Sequence, residues 1–111
     1  MPTQINSKTK KQIIEKIKTL CFPAGGCTEI GGIGYCVAAA AQKYKGNIKT
    51  AKHIIVEVSP YIFKNVLKVG VPNLGVCGIT MIAAAGAAIA NTKHKLELMS
   101  YLTPKQIETA K

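Results

Sequence analysis

Ile13, Ile14, Ile17, Leu20 and Cys21 recur at the three-and-four spacing of one helix face. Thr9, with Gln12 three residues on, has the form of a capping box, so a first helix is predicted from about Lys10 to Leu20, ending before Pro23. A second stripe of Ile33, Cys36, Val37, Ala40, Ala41 and Tyr44 keeps the same period and is closed by Gly46-Asn47. Between the two helices lies a turn holding Cys27. From His53 to Val58 the chain is rich in β-branched residues in imperfect alternation, which predicts a strand. Ser59-Pro60 then supplies an N-cap and a first-turn proline for a short helix. Val66, Val69 and Val71 suggest a second strand over about 66–71, stopped by the turn residues Pro72-Asn73-Leu74-Gly75. Gly78 to Ala90 reads as a helix of small residues in which the alanines and Gly86 would admit another backbone closely. It is shorter than the ~20 apolar residues of a membrane span, so a buried helix is expected. Thr103, Pro104 and Gln106 carry a complete helix start near the end of the chain. The fold class predicted is α+β, mostly helical, with one or two short strands.

The length of 111 residues and a hydrophobic content of 48% fit one domain with a single core, small for an enzyme that encloses its substrate. Residues 1–111 are therefore expected to form one domain of a larger protein or one subunit of it. No apolar run follows the polar, lysine-rich stretch from Met1 to Gln12, which argues against a secretory signal and for a cytoplasmic protein. In that compartment four cysteines read as thiols or ligands and not as a disulfide framework.

A net charge of +10 invites a phosphate-bearing partner, and a basic nucleic-acid-associated protein is one reading. It rests on charge alone. All fifteen basic residues are lysine, so the bidentate fork of arginine is missing. There is no tryptophan, aromatics make up 5%, and the lysines are scattered from Lys8 to Lys111 without interleaved stacking residues.

The chemistry with a local rationale centres on Gly25-Gly26-Cys27-Thr28-Glu29. The glycines permit unusual backbone angles, and Cys27 or Thr28 would sit at the start of the second helix. A thiol there is eased towards thiolate by the unpaired N–H groups and the helix dipole, and serves as base, nucleophile or ligand. The alternative is a small, inert cysteine packed in a glycine turn. Glu29 is likewise open to two readings, a catalytic carboxylate or a charge that merely favours the helix N-terminus. Cys21, Cys36 and Cys77 form no Cys-x-x-Cys pair and default to packing. His53 and His94 lie far apart in sequence, outside ligand-like spacing.

Pro23-Ala24-Gly25-Gly26-Cys27-Thr28-Glu29 followed by an alanine-rich helix resembles the opening segment of the L-cysteine desulfidase family, relatives of the iron–sulfur serine dehydratase alpha subunit. A second block, Ser59-Pro60, Lys64-Asn65, Gly70-Val71-Pro72, Gly75 and Gly78, is similar to that family's later motif in order and distance. Departures fall at Ile30-Gly31-Gly32, Tyr61, Val66, Lys68 and Asn73-Leu74.

The resemblance implies β-elimination of L-cysteine, or a related amino acid such as L-serine, to pyruvate, ammonia and sulfide. Cys27 and Glu29 would be catalytic, while Thr28, Lys64 and Asn65 would hold substrate. It also implies a 4Fe-4S cluster with ligands outside these residues, no metal ligand within them and no pyridoxal phosphate. Partners expected with it are a small amino acid, a C-terminal part or partner subunit, and a second copy in a homo-oligomer, with no membrane. Lys64 and Asn65 also fit a plain helix-terminal cation and C-cap. A non-catalytic small-molecule-binding or regulatory module is the remaining expectation, drawn from the loop departures.

Overall fold

The computed structural model describes residues 4–111, leaving the first three of the polar opening stretch outside. Five α-helices are present among them: α1 Ser7–Leu20, α2 Thr28–Lys43, α3 Pro60–Val66, α4 Ile79–Ile89 and α5 Pro104–Ala110. Two 3₁₀ helices, Ile48–Thr50 and Lys95–Tyr101, link them.

The core is built where α2 and α4 cross and the second 3₁₀ helix closes over them. Ile30, Ile33 and Ala38 from α2 meet Ile82 and Ala85 from α4, with Leu98, Met99 and Leu102 beside them. Small residues make this crossing close. A methyl group added at Gly86 would lie 2.7 Å from the Gly34 carbonyl oxygen and 3.0 Å from Val37 Cβ, so the two backbones touch at a point where no side chain fits. This is the close approach that the alanine and glycine content of α4 predicts. α5 then docks through Ile107 and Ala110. Its start is the expected capping box, in which Thr103 Oγ1 accepts from the Gln106 N–H at 3.2 Å and Gln106 Oε1 accepts from the Thr103 N–H at 2.9 Å. The N-cap of α3 also forms as predicted, Ser59 Oγ accepting from the Ile62 N–H at 3.3 Å.

Two caps differ from the sequence reading. α1 begins at Ser7, capped by Asn6 Oδ1 accepting from the Thr9 N–H at 2.8 Å, and not at a Thr9–Gln12 box. α2 stops at Lys43, and Asn47 instead caps the first 3₁₀ helix through the Lys49 N–H at 3.0 Å. The apolar stripe of α1 is unburied: Ile13, Ile14, Ile17 and Leu20 are 41–71% exposed. The helix projects from the body, giving extents of 60 × 28 × 24 Å and a radius of gyration of 17.3 Å, against about 13 Å for a compact chain of ~100 residues.

The α+β expectation is corrected, since no strand or sheet exists among the described residues. Residues 53–58 are extended but pair with nothing among the described residues, because alternation prepares the faces of a strand while a ladder needs a second strand. The segment expected as a strand over 66–71 is divided. Val66 ends α3 and is fully buried, and the chain beyond it makes a tight reversal. That reversal carries one isolated antiparallel bridge, Gly70 to Cys77, flanked by Val71 N–H to Val76 O at 2.9 Å and Gly78 N–H to Val69 O at 3.1 Å. At its tip Asn73 adopts φ +66° and donates through Nδ2 to the carbonyls of Met99 (3.1 Å) and Ser100 (3.3 Å). No helix among the described residues is long and apolar enough to cross a membrane.

Candidate functional site

The turn before α2 is anchored at Gly25, whose N–H donates to the Leu96 carbonyl at 3.2 Å. Gly26 follows at φ +94°, a conformation that side-chain-bearing residues rarely adopt. This reversal delivers Cys27 as the N-cap residue of α2. Its sulfur makes no capping bond to the helix N–H groups. Instead the half-buried thiol donates to Glu29 Oε2 at 2.6 Å. The other carboxylate oxygen, Oε1, accepts from Asn65 Nδ2 at 3.1 Å.

Three side chains from two helices thus form one hydrogen-bonded chain, Cys27 to Glu29 to Asn65. The bond from Cys27 above all, then Glu29's own backbone N–H and the Asn65 amide, hold the Glu29 carboxyl below the usual glutamate range. Placement of Asn65 depends on its neighbour Val66, whose burial fixes α3 against the core beside α2. Asn65 is not the C-cap of α3, a position taken by Leu67.

The other two expected residues lie at the margin. Thr28, the first residue of α2, is exposed and lines a groove. Lys64 is exposed in the last turn of α3 and makes no ion pair among the described residues, so the cation reading of the sequence fits its position. The groove has a volume of about 550 Å³ and is bordered by Thr28, Glu29, Ile33, Cys36, Val58 and Ile62. Val56 and Glu57 line it as well, and none of the 56–58 residues was a site candidate from sequence. Their signal was the alternation of 53–58, which gives them a face but not a neighbour.

Among the described residues no three His, Cys, Asp or Glu side chains converge as a metal site, and the four cysteines are free thiols, three of them exposed. These residues do not fit an iron–sulfur cluster. The chemistry they offer is that of a thiol, a carboxylate and an amide in line.

Comparison with known proteins gives a consistent set of relatives. A protein of Bacteroides thetaiotaomicron is 38% identical over 92% of this chain, and one of Porphyromonas gingivalis is 33% identical over 96%. A protein of Photobacterium profundum is 36% identical over 88%. All three are called UPF0597 protein. The chain spans 22–24% of the length of each. No family model matches the chain. No solved structure gives a significant match.

The expected membership of the L-cysteine desulfidase family is corrected accordingly, because the relatives that align with about nine-tenths of the chain carry the UPF0597 name. The departures from the desulfidase pattern have a structural basis here. Ile30 is 1% exposed and a methyl group at Gly31 would lie 2.7 Å from the Leu96 carbonyl, so Ile30-Gly31 belongs to the helix packing of α2 and not to a loop.

Proposed function

We propose that Cys27, Glu29 and Asn65 form a proton-transfer site serving β-elimination on a small β-substituted amino acid, L-cysteine or L-serine, as one portion of a larger lyase. The observation that supports this most is the thiol-to-carboxylate hydrogen bond of 2.6 Å, backed by Asn65 at 3.1 Å. A base that takes an α-proton must itself be relieved of that proton afterwards. Here the thiol and the carboxylate are in direct contact, so a proton gained by one has the other as its neighbour, and Asn65 holds the carboxylate in orientation. Thr28 supplies a hydroxyl at the groove, and Lys64, the residue before Asn65 in α3, would supply the cation for the amino acid's carboxylate.

In the reaction the α-C–H bond breaks, its electron pair forms the α,β double bond, and the β-substituent departs with its bonding pair. The resulting enamine tautomerises and is hydrolysed to pyruvate and ammonia. The test is pyruvate release from L-cysteine and L-serine, together with deuterium exchange at the α-carbon, for the wild-type protein against Cys27→Ser and Glu29→Gln. Loss of a positioned acid–base group is expected to lower the rate by ~10²-fold or more while sparing binding. Undiminished turnover in Cys27→Ser refutes the assignment. Binding without exchange or turnover in wild type would favour a second reading, a non-catalytic small-molecule module, which the open apolar groove of about 550 Å³ beside Glu29 supports.

A further inference from the structure

The segment His53–Val58 runs extended without belonging to a helix or a sheet. Among the described residues no hydrogen bond joins any backbone N–H or C=O from 52 to 58 to another group. From Ile55 to Val58 the burial nevertheless alternates, Val56 and Val58 being half-buried and Ile55 and Glu57 exposed, while His53 and Ile54 before them are both exposed. Ile55 is 85% exposed, the most exposed of the large apolar residues. An extended, β-branched run with unpaired backbone groups is a template for another strand.

We propose that the partner is a second copy of this chain, paired antiparallel through the same segment about a two-fold axis at Ile55. The sequence of the edge is complementary to itself in this register. Ile55 stands opposite Ile55 of the second copy on the axis, and the pairs Ile54 opposite Val56 and His53 opposite Glu57 each occur twice. Apolar residues therefore meet apolar ones, and the imidazole meets the carboxylate, the combinations that stabilise cross-strand neighbours. A shift of one residue loses the His53–Glu57 pair in either direction, setting His53 opposite Val58 and Glu57 opposite Ile54 in one, and His53 opposite Val56 and Glu57 opposite Lys52 in the other. An isologous contact of this kind closes on itself and stops at a dimer.

A seam of six or seven residues falls below the ~1,200 Å² of a standard stable interface, so a weak, reversible dimer is expected. Sedimentation equilibrium of the 111-residue protein from about 1 to 500 μM measures it. Ile55→Lys sets two like charges opposite each other and is expected to raise the dissociation constant more than tenfold with an unchanged circular dichroism spectrum, since the side chain is outside the core. His53→Glu is expected to weaken the dimer likewise, and adding Glu57→Lys to restore it.

The register is read by cross-linking with Cys21, Cys36 and Cys77 replaced by serine and oxidised glutathione as electron acceptor. Directly opposed residues have Cα atoms about 4.5–5.5 Å apart, inside the range a disulfide bridges. Ile55→Cys should therefore give a covalent dimer joined at position 55. Glu57→Cys should not, because its two copies would be about 13 Å apart, four residues along the strand. A monomer at every concentration, equal cross-linking at both positions, or protection of 53–58 from hydrogen exchange in a particle that stays monomeric would each overturn the proposal.

Discussion

Gly86→Ala adds a single methyl group at the point where α4 crosses α2. The new carbon would stand 2.7 Å from the Gly34 carbonyl oxygen, where a tolerated carbon–oxygen contact is about 3.3–3.6 Å, so one backbone must move by roughly 0.6–0.9 Å. The obstacle is main chain, with Val37 Cβ at 3.0 Å closing the other direction, and no flexible side-chain end can yield. Overpacking of this kind costs ~1–3 kcal/mol, and the better helix propensity of alanine offsets ~0.8–1 kcal/mol of it. Because the clash is with backbone, the upper part of the range applies, and a net loss of about 1–2 kcal/mol is expected. For a chain of this size that lowers Tm by ~4–16 °C.

Gly32→Ala is the matched control. It lies in the same kind of helix interior, yet a methyl group there meets nothing within 4 Å, so propensity acts alone and about 0.5–1 kcal/mol of stabilisation is expected. Urea and thermal unfolding followed at 222 nm measure both. If the two substitutions shift stability in the same direction, the close crossing of α2 and α4 does not limit what position 86 accepts.

The Glu29 carboxyl, followed by NMR, is expected to titrate below the usual glutamate range, rising more in Cys27→Ala than in Asn65→Ala, since the thiol is the larger cause. A folded value below the unfolded one means that Glu29 contributes stability above the unfolded value of ~4.3, and that this contribution is lost as pH falls through the folded value. An equal response to the two substitutions would count against the thiol as the dominant partner. Thr103→Ala removes the hydroxyl that caps α5 and should cost about 1 kcal/mol in urea unfolding, while Thr103→Ser should cost a few tenths at most.

What the sequence disclosed was local. The capping box of Thr103 and Gln106 and the Ser59-Pro60 start are complete within four residues, and both helices begin where the chain says they should. The small residues of α4 announced a close neighbour, though not that Gly34 would be its contact. What was hidden depended on distant partners. Alternation at 53–58 specifies two faces but no ladder, and Val66 looked like strand until its burial drew it into α3. The Lys95–Tyr101 helix escaped notice because its buried Leu98 and Met99 follow no 3.6-residue stripe. Within the site, Cys27 and Glu29 lie two residues apart and were visible together. Asn65 reaches Glu29 across 36 residues, a contact that only the packing of α3 against α2 produces.

The projecting first helix separates two quantities that are usually taken as one. α1 contributes fourteen residues of helix and no buried side chain. A helix of that length is marginal on its own in water, and one that buries nothing draws no support from the body. Its hydrogen bonds therefore open in their own equilibrium, at a free energy well below that of global unfolding, as a separate cooperative unit. The helical content of this chain and the extent of its cooperative core are consequently different sets of residues.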